Sequence, residues 1–178
     1  EGTYLGFHVK TSPPSWRGLG LIVETGYGLH SASPRWEVGA EYERGDWSAS
    51  LSVFDRTETL DPDVFSTVET TLFSLLFKWD YRDYYRAKNG FEAEGTHRLR
   101  RHLSLVGGLR AFTYASMPVE TQWSLFFPDR DFRDNPQVRP GAAGLLWFGA
   151  VLDTRARGPL FRNAWVLKGT YERGFREF

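Results

Sequence analysis

Apolar and polar residues alternate along most of this chain with a period of two, the repeat of strands that face two different environments. Leu5, Phe7 and Val9 fall on one side of the first run, and Tyr4, Gly6, His8 and Lys10 on the other. Ser12-Pro13-Pro14-Ser15 breaks it. From Gly18 to Leu29, the residues Leu19, Leu21, Val23, Thr25 and Tyr27 alternate with Gly18, Gly20, Ile22, Glu24, Gly26 and Gly28. A turn over Ser31 to Pro34 leads into Trp36, Val38, Ala40 and Tyr42 set against Glu37, Gly39, Glu41 and Glu43. Gly45-Asp46 predicts a tight hairpin turn. The cleanest run follows, with Trp47, Ala49, Leu51 and Val53 against Ser48, Ser50 and Ser52.

The scheme resumes further on. Phe91, Ala93 and Gly95 oppose Glu92, Glu94 and Thr96, and Leu103, Leu105, Gly107, Leu109 and Ala111 oppose Ser104, Val106, Gly108 and Arg110. Leu146, Phe148, Ala150 and Leu152 oppose Trp147, Gly149, Val151 and Asp153, and Trp165, Leu167 and Tyr171 oppose Lys168, Thr170 and Glu172. The pattern predicts an all-β, antiparallel up-and-down barrel of about eight strands in a single domain over residues 1–178. Strands of about ten residues are long enough to cross a bilayer at a tilt.

Two connections are long. The one from Thr57 to Tyr85 predicts a short helix, because Ser66 and Glu69 stand at capping-box spacing and Val68, Leu72, Leu75 and Leu76 recur on one helical face. Such a stripe is expected to pack against the barrel rim, with a partner-binding or lipid-lying helix as the alternative. The one from Ser116 to Pro140, with Phe126-Phe127-Pro128-Asp129-Arg130-Asp131, reads as a structured surface loop.

Composition sharpens this picture. Aromatic residues make up 16% of the chain, yet the mean hydropathy is −0.42. No apolar run is long enough for a membrane helix, whereas barrel strands that alternate between lipid and lumen average out as polar. Trp36, Tyr42, Trp47, Tyr27, Trp165 and Tyr171 stand near strand ends, as the aromatic girdles of a transmembrane barrel do. Leu51 and Val53 are expected to face lipid. Lys and Arg total 22 and Asp and Glu total 22, so no nucleic-acid footprint is present and no nucleic-acid partner is expected. Cysteine is absent, which excludes disulfides, thiolate metal sites and a cysteine nucleophile. The opening residues carry no signal-peptide pattern, as expected of a mature sequence.

Candidate chemistry is sparse. His8, His30, His97 and His102 show no metal-ligand spacing, so neither a metal nor a cofactor is expected. His97 or His102 with Ser104 is the nearest approach to a nucleophile and its base, without a carboxylate placed to orient the base. Glu41 with Glu43 and Glu92 with Glu94 each share a face. Paired carboxylates could serve glycoside hydrolysis, but a charged barrel interior is the commoner use. Gly18-Leu19-Gly20 reads as strand glycine rather than a phosphate loop. The sharper expectation is an ion network inside the barrel, made of Glu24, Glu37, Glu41, Glu92, Glu94, Arg110 and Lys168 together with Lys10, with Arg110 as its hub. Ions packed into a narrow lumen have to pair.

Tyr84-Tyr85-Arg86, Leu152-Asp153-Thr154-Arg155 and the downstream Pro159 and Arg162 carry a resemblance to a family. The chain resembles the barrel domain of the bacterial surface-antigen superfamily, the BamA and TamA type of outer-membrane assembly factors, from about Trp36 to Glu172. That resemblance implies an outer-membrane barrel that inserts or translocates other proteins. With about half the strands of such barrels, no periplasmic repeats, and Glu172, Gly174 and Arg176 at alternate positions of the last strand, the chain is expected to be a shortened or partial form. Arg173-Gly174-Phe175 is similar to a lumen-loop triplet of the superfamily, but it stands at a strand end and takes no role from it.

The functional expectation is a non-enzymatic barrel of the bacterial outer membrane, structural or part of an assembly or translocation barrel. Its partners would be outer-membrane lipids, the barrel-assembly machinery, or further strands from another segment. A small lipid-modifying barrel enzyme and a soluble barrel holding an apolar ligand are the alternatives.

Overall fold

The computed structural model describes residues 4–28, 33–59, 73–79, 83–119, 124–127, 129–154 and 165–175. Its strands are β1 (Tyr4–Thr11), β2 (Leu19–Gly28), β3 (Ser33–Arg44), β4 (Trp47–Thr59), β5 (Tyr84–Arg100), β6 (Leu103–Ser116), β7 (Gly141–Asp153) and β8 (Val166–Phe175). They form one 8-stranded antiparallel sheet in chain order, as the alternation predicts. Each strand pairs with its sequence neighbours, and β1 and β8 are the edges among the described residues.

Turn chemistry accounts for the tight reversals. Gly45, with φ of 63°, closes the β3–β4 hairpin in a conformation that costs glycine little. Pro14–Trp16 form a single 3-10 turn between β1 and β2, and Gly18, at φ 97°, belongs to that turn rather than to the strand expected from residue 18. The next strand begins earlier than the expected turn over Ser31 to Pro34 allows. Ser33 and Pro34 already pair with Gly28 and Tyr27, since proline is tolerated at a strand start.

The registers assemble the faces. Following ladder partners, Val9, Val23, Val38, Val53, Phe91, Ala111, Gly144 and Phe175 form one continuous row on the outer face. The adjoining inner row reads Lys10, Ile22, Gly39, Ser52, Glu92, Arg110, Leu145 and Gly174. The inner face is the enclosed one. Phe54 is 0% exposed, whereas Leu51, on the outer face of the same strand, is 49% exposed. The core consists of Phe54, Ala87 and Phe112, with Tyr85, Tyr114, Ala143 and Leu145 packed around it.

A bulge shapes this core. The β4–β5 register shifts between Phe54 and Arg56, and the β5–β6 register shifts between Lys88 and Phe91. Asn89 takes up the extra residue at φ 50°, a conformation asparagine tolerates. Gly90 then lies beneath the Phe54 ring, so closely that a β-carbon there would overlap it.

The strand order puts the short turns β1–β2, β3–β4 and β5–β6 at one end of the sheet, with the β7–β8 connection. The long connections β4–β5 and β6–β7 lie at the other. Residues 73–77 form a helical turn in the first of these. Leu75 and Leu76 lie in it, while Ser66, Val68, Glu69 and Leu72 fall outside the described residues. The two long connections are joined: Leu125 N donates to Leu75 O (2.9 Å) and Phe126 N to Leu76 O (3.2 Å). Phe77 stands 5.3 Å from Trp79 and 5.9 Å from Phe126 between ring centroids. Arg133 pairs with Asp83 (2.5 Å), and Asn135 joins Tyr84 N and Met117 O.

Candidate functional site

The richest polar arrangement lies on the inner face where β3, β4, β5 and β6 run side by side. Arg56 on β4 donates to Glu37 on β3, to Glu58 on its own strand (2.8 Å) and to Glu92 on β5 (3.0 Å). Arg110 on β6 reaches over β5 to Glu58, and its Nε stands 3.7 Å from Glu92. Tyr85 Oη donates to the second oxygen of Glu58 (2.8 Å). The two guanidinium groups share Glu58 and Glu92, so each carboxylate separates like charges.

These ions sit on the aromatic core. Arg56 lies 4.0 Å and Arg110 5.1 Å from the Phe54 ring centroid, and Arg110 is also 4.5 Å from that of Phe112. Ring faces attract cations, so the core is a further anchor for both side chains. The Glu58 side chain is 12% exposed and that of Arg110 is 15% exposed. Burial of this degree makes pairing obligatory, because a stranded charge there is costly.

The expected network is thus partly redistributed. Glu37, Glu92 and Arg110 come together, but the hub is Arg56, with Glu58 at its centre. Glu41 pairs with Lys10, whose Nζ lies 2.6 and 2.9 Å from its two oxygens across β2. Glu24 meets His8 at 3.4 Å. Glu94 and Lys168 are on the inner face, yet among the described residues neither forms an ion pair. Glu94 stands opposite Ser50 and Gly108, neither of which is charged, and Lys168 opposite Val151 on the edge strand. Arg56 and Glu58 continue the parity of Ser50 and Ser52, and that continuation is the signal that would have found them.

A second ionic cluster closes the outer rim at the long-connection end. Arg86 donates to Asp55 (2.5 Å), to Ser33 Oγ (3.2 Å) and to Pro34 O.

The geometry separates the candidate catalytic residues. Ser104 pairs with Arg98 and Ser104's neighbour Leu105 pairs with His97, so Ser104 and His97 lie on opposite faces. The His97 ring stacks on Trp47 with centroids 4.0 Å apart. His102 Nδ1 is 3.0 Å from the backbone oxygen of Asp153. The shared-face carboxylates Glu41 and Glu92 are occupied as counter-ions of Lys10, Arg56 and Arg110. Among the described residues no group of His, Asp and Glu side chains is placed to hold a metal ion.

No family model, curated protein or solved structure matches this chain.

Proposed function

We propose that the chain is a non-enzymatic β-barrel protein of the bacterial outer membrane, structural in role or part of an assembly or translocation barrel. The observation that carries this reading is the distribution of the two faces. The outer row Val9 to Phe175 is uncharged, and so is the row Leu21, Ala40, Leu51, Ala93, Leu109, Leu146 until it reaches Arg173 on the edge strand β8, while ions and small polar residues occupy the inner face. In water such a surface would be a large exposed apolar patch with its charges enclosed, the reverse of a soluble protein. In a bilayer it is the lipid-facing surface of a barrel. The resemblance to assembly-factor barrels supports the same class and suggests the assembly role.

The inner ion network also argues against the soluble alternative, since an inner face that carries Arg56, Glu58 and Arg110 does not suit an apolar ligand. The opposed faces of Ser104 and His97 argue against the enzymatic one.

The test is reconstitution. The chain refolded with phosphatidylcholine vesicles should float with them and resist protease over its strands, and should aggregate when detergent and lipid are removed. A folded monomer in detergent-free buffer would overturn the proposal.

A further inference from the structure

We infer that the short-turn end of the sheet is a basic rim that docks on the phosphate headgroups of anionic phospholipids, an inference that rests on the membrane reading above. The whole chain carries no net charge, with 22 basic and 22 acidic residues, so a local excess has to come from segregation along the strand axis. Arg17, Arg44, Arg98, Arg100 and Arg101 all stand at this end, and all are exposed. None forms an ion pair among the described residues. Glu43, Asp46 and Asp153 also stand there, fewer than the arginines.

The other end is arranged differently. Arg86 is bound by Asp55, Arg133 by Asp83, and Lys78 by the backbone oxygen of Arg130. Lys88, Arg130 and Arg139 are exposed there as well, but so are Asp129, Asp131 and Asp134, three acids for three bases against three for five at the short-turn end.

Two further features match a membrane interface. Trp16, Trp47 and Trp165 all lie at the short-turn end and are 40%, 60% and 74% exposed. Tryptophan collects at the headgroup level, and arginine just beyond it meets the lipid phosphates. The backbone of the rim is also tied together. Glu43 N donates to Gly18 O, Arg98 N to Asp46 O and Asp153 N to His102 O, each at 2.8 Å, so neighbouring turns are stitched side by side. Short turns face the periplasm in barrels of this kind, which places the rim against the phospholipid leaflet.

The test is flotation with vesicles of phosphatidylcholine alone or with added phosphatidylglycerol. Phosphatidylglycerol should raise the partition coefficient at low salt by about tenfold or more, and high salt should remove the gain. The triple variant R44Q/R100Q/R101Q should lose most of that gain while still entering phosphatidylcholine vesicles. K88Q/R130Q/R139Q, which removes the same charge from the opposite end, should keep it. If phosphatidylglycerol has no effect, or both triple variants lose the gain equally, the rim has no special role. If the wild-type chain enters neither kind of vesicle, the membrane reading fails and the rim inference with it.

Discussion

Arg110 crosses over β5 to bind Glu58 on β4, so a salt bridge on the inner face links strands that share no ladder. Arg56 is tied into the same carboxylate and adds Glu37 and Glu92. Arg56→Met should therefore take a cation from three carboxylates and leave Glu37 with none beside an aromatic core, whereas after Arg110→Met both Glu58 and Glu92 keep Arg56. Removing one partner of a buried pair costs about 3–5 kcal/mol, and partial wetting here should bring Arg56→Met to about 2–4 kcal/mol. Arg133→Met, in an exposed pair with Asp83, should cost under about 1 kcal/mol. Thermal unfolding in detergent should rank Arg56 first, Arg110 second and Arg133 last; equal losses would mean that the inner ions face water.

The assignment of faces can be tested at adjacent residues. Leu51→Arg puts a cation on the outer row between Ala40 and Ala93; if that row faces lipid as proposed, a mid-bilayer arginine there costs about 2–4 kcal/mol. Ser50→Arg enters the inner face between Glu41 and Glu94, and Glu94 lacks an ion partner among the described residues. Its effect on stability in vesicles should be much smaller. Similar losses at the two positions would mean the strand is slipped by one residue, since a slip exchanges the faces.

Gly90 and Gly95 make a second contrast within one strand. An alanine at Gly90 drives its β-carbon into the Phe54 ring, which is fully enclosed and has nowhere to move. Overpacking of this kind costs about 1–3 kcal/mol. Gly95→Ala meets nothing within 4 Å and should be neutral. Shortening the partner in Gly90→Ala/Phe54→Leu should recover part of the loss in unfolding temperature, and no recovery would place the strain elsewhere.

How far the sequence could be read follows from where the period of two holds. From Trp47 to Val53 the alternation is unbroken, and the faces assigned to Leu51 and Ser50 are those of the structure. It hides at the bulge. Inner residues are Tyr85 and Ala87 before Asn89 but Gly90, Glu92 and Glu94 after it, so the parity changes within β5 and the strand's first turns look like loop. The partner strand keeps its parity, but its polarity inverts, with Phe54 inside and Asp55 outside, so the alternation reads as ending at Val53, short of Arg56, and Glu58 falls in the apparent connection from Thr57. Arg110 was legible because its own strand has no bulge. Its partner was not, because a bond over an intervening strand leaves no spacing in the sequence.

Closure of the sheet is the remaining prediction. Ladder partners lead from Thr11, the last residue of β1, through Leu21, Ala40, Leu51, Ala93, Leu109 and Leu146 to Arg173, near the end of β8. The antiparallel walk thus climbs most of a strand's length in crossing the sheet, and a barrel needs such stagger to close. An even number of strands makes β1 and β8 antiparallel, and bulky inner residues such as Phe54, Phe112 and Trp147 suit a narrow lumen that side chains fill. Outer residues must meet outer residues, which leaves registers two residues apart. The one that sets Phe7 opposite Tyr171 also sets Lys10 opposite Lys168, and like charges directly opposed are unfavourable. The alternative sets Leu5 opposite Tyr171 and Val9 opposite Leu167, and it is the register expected. Because the chain has no cysteine, pairs can be introduced cleanly. Leu5→Cys/Tyr171→Cys and Val9→Cys/Leu167→Cys should oxidise within one chain in vesicles, whereas Phe7→Cys/Tyr171→Cys should oxidise poorly. Planar bilayers should show no steady conductance, since an eight-stranded lumen is filled by side chains. Disulfide-linked dimers from the in-register pairs, together with a stable large pore, would show that β1 and β8 join a second copy in a wider barrel instead.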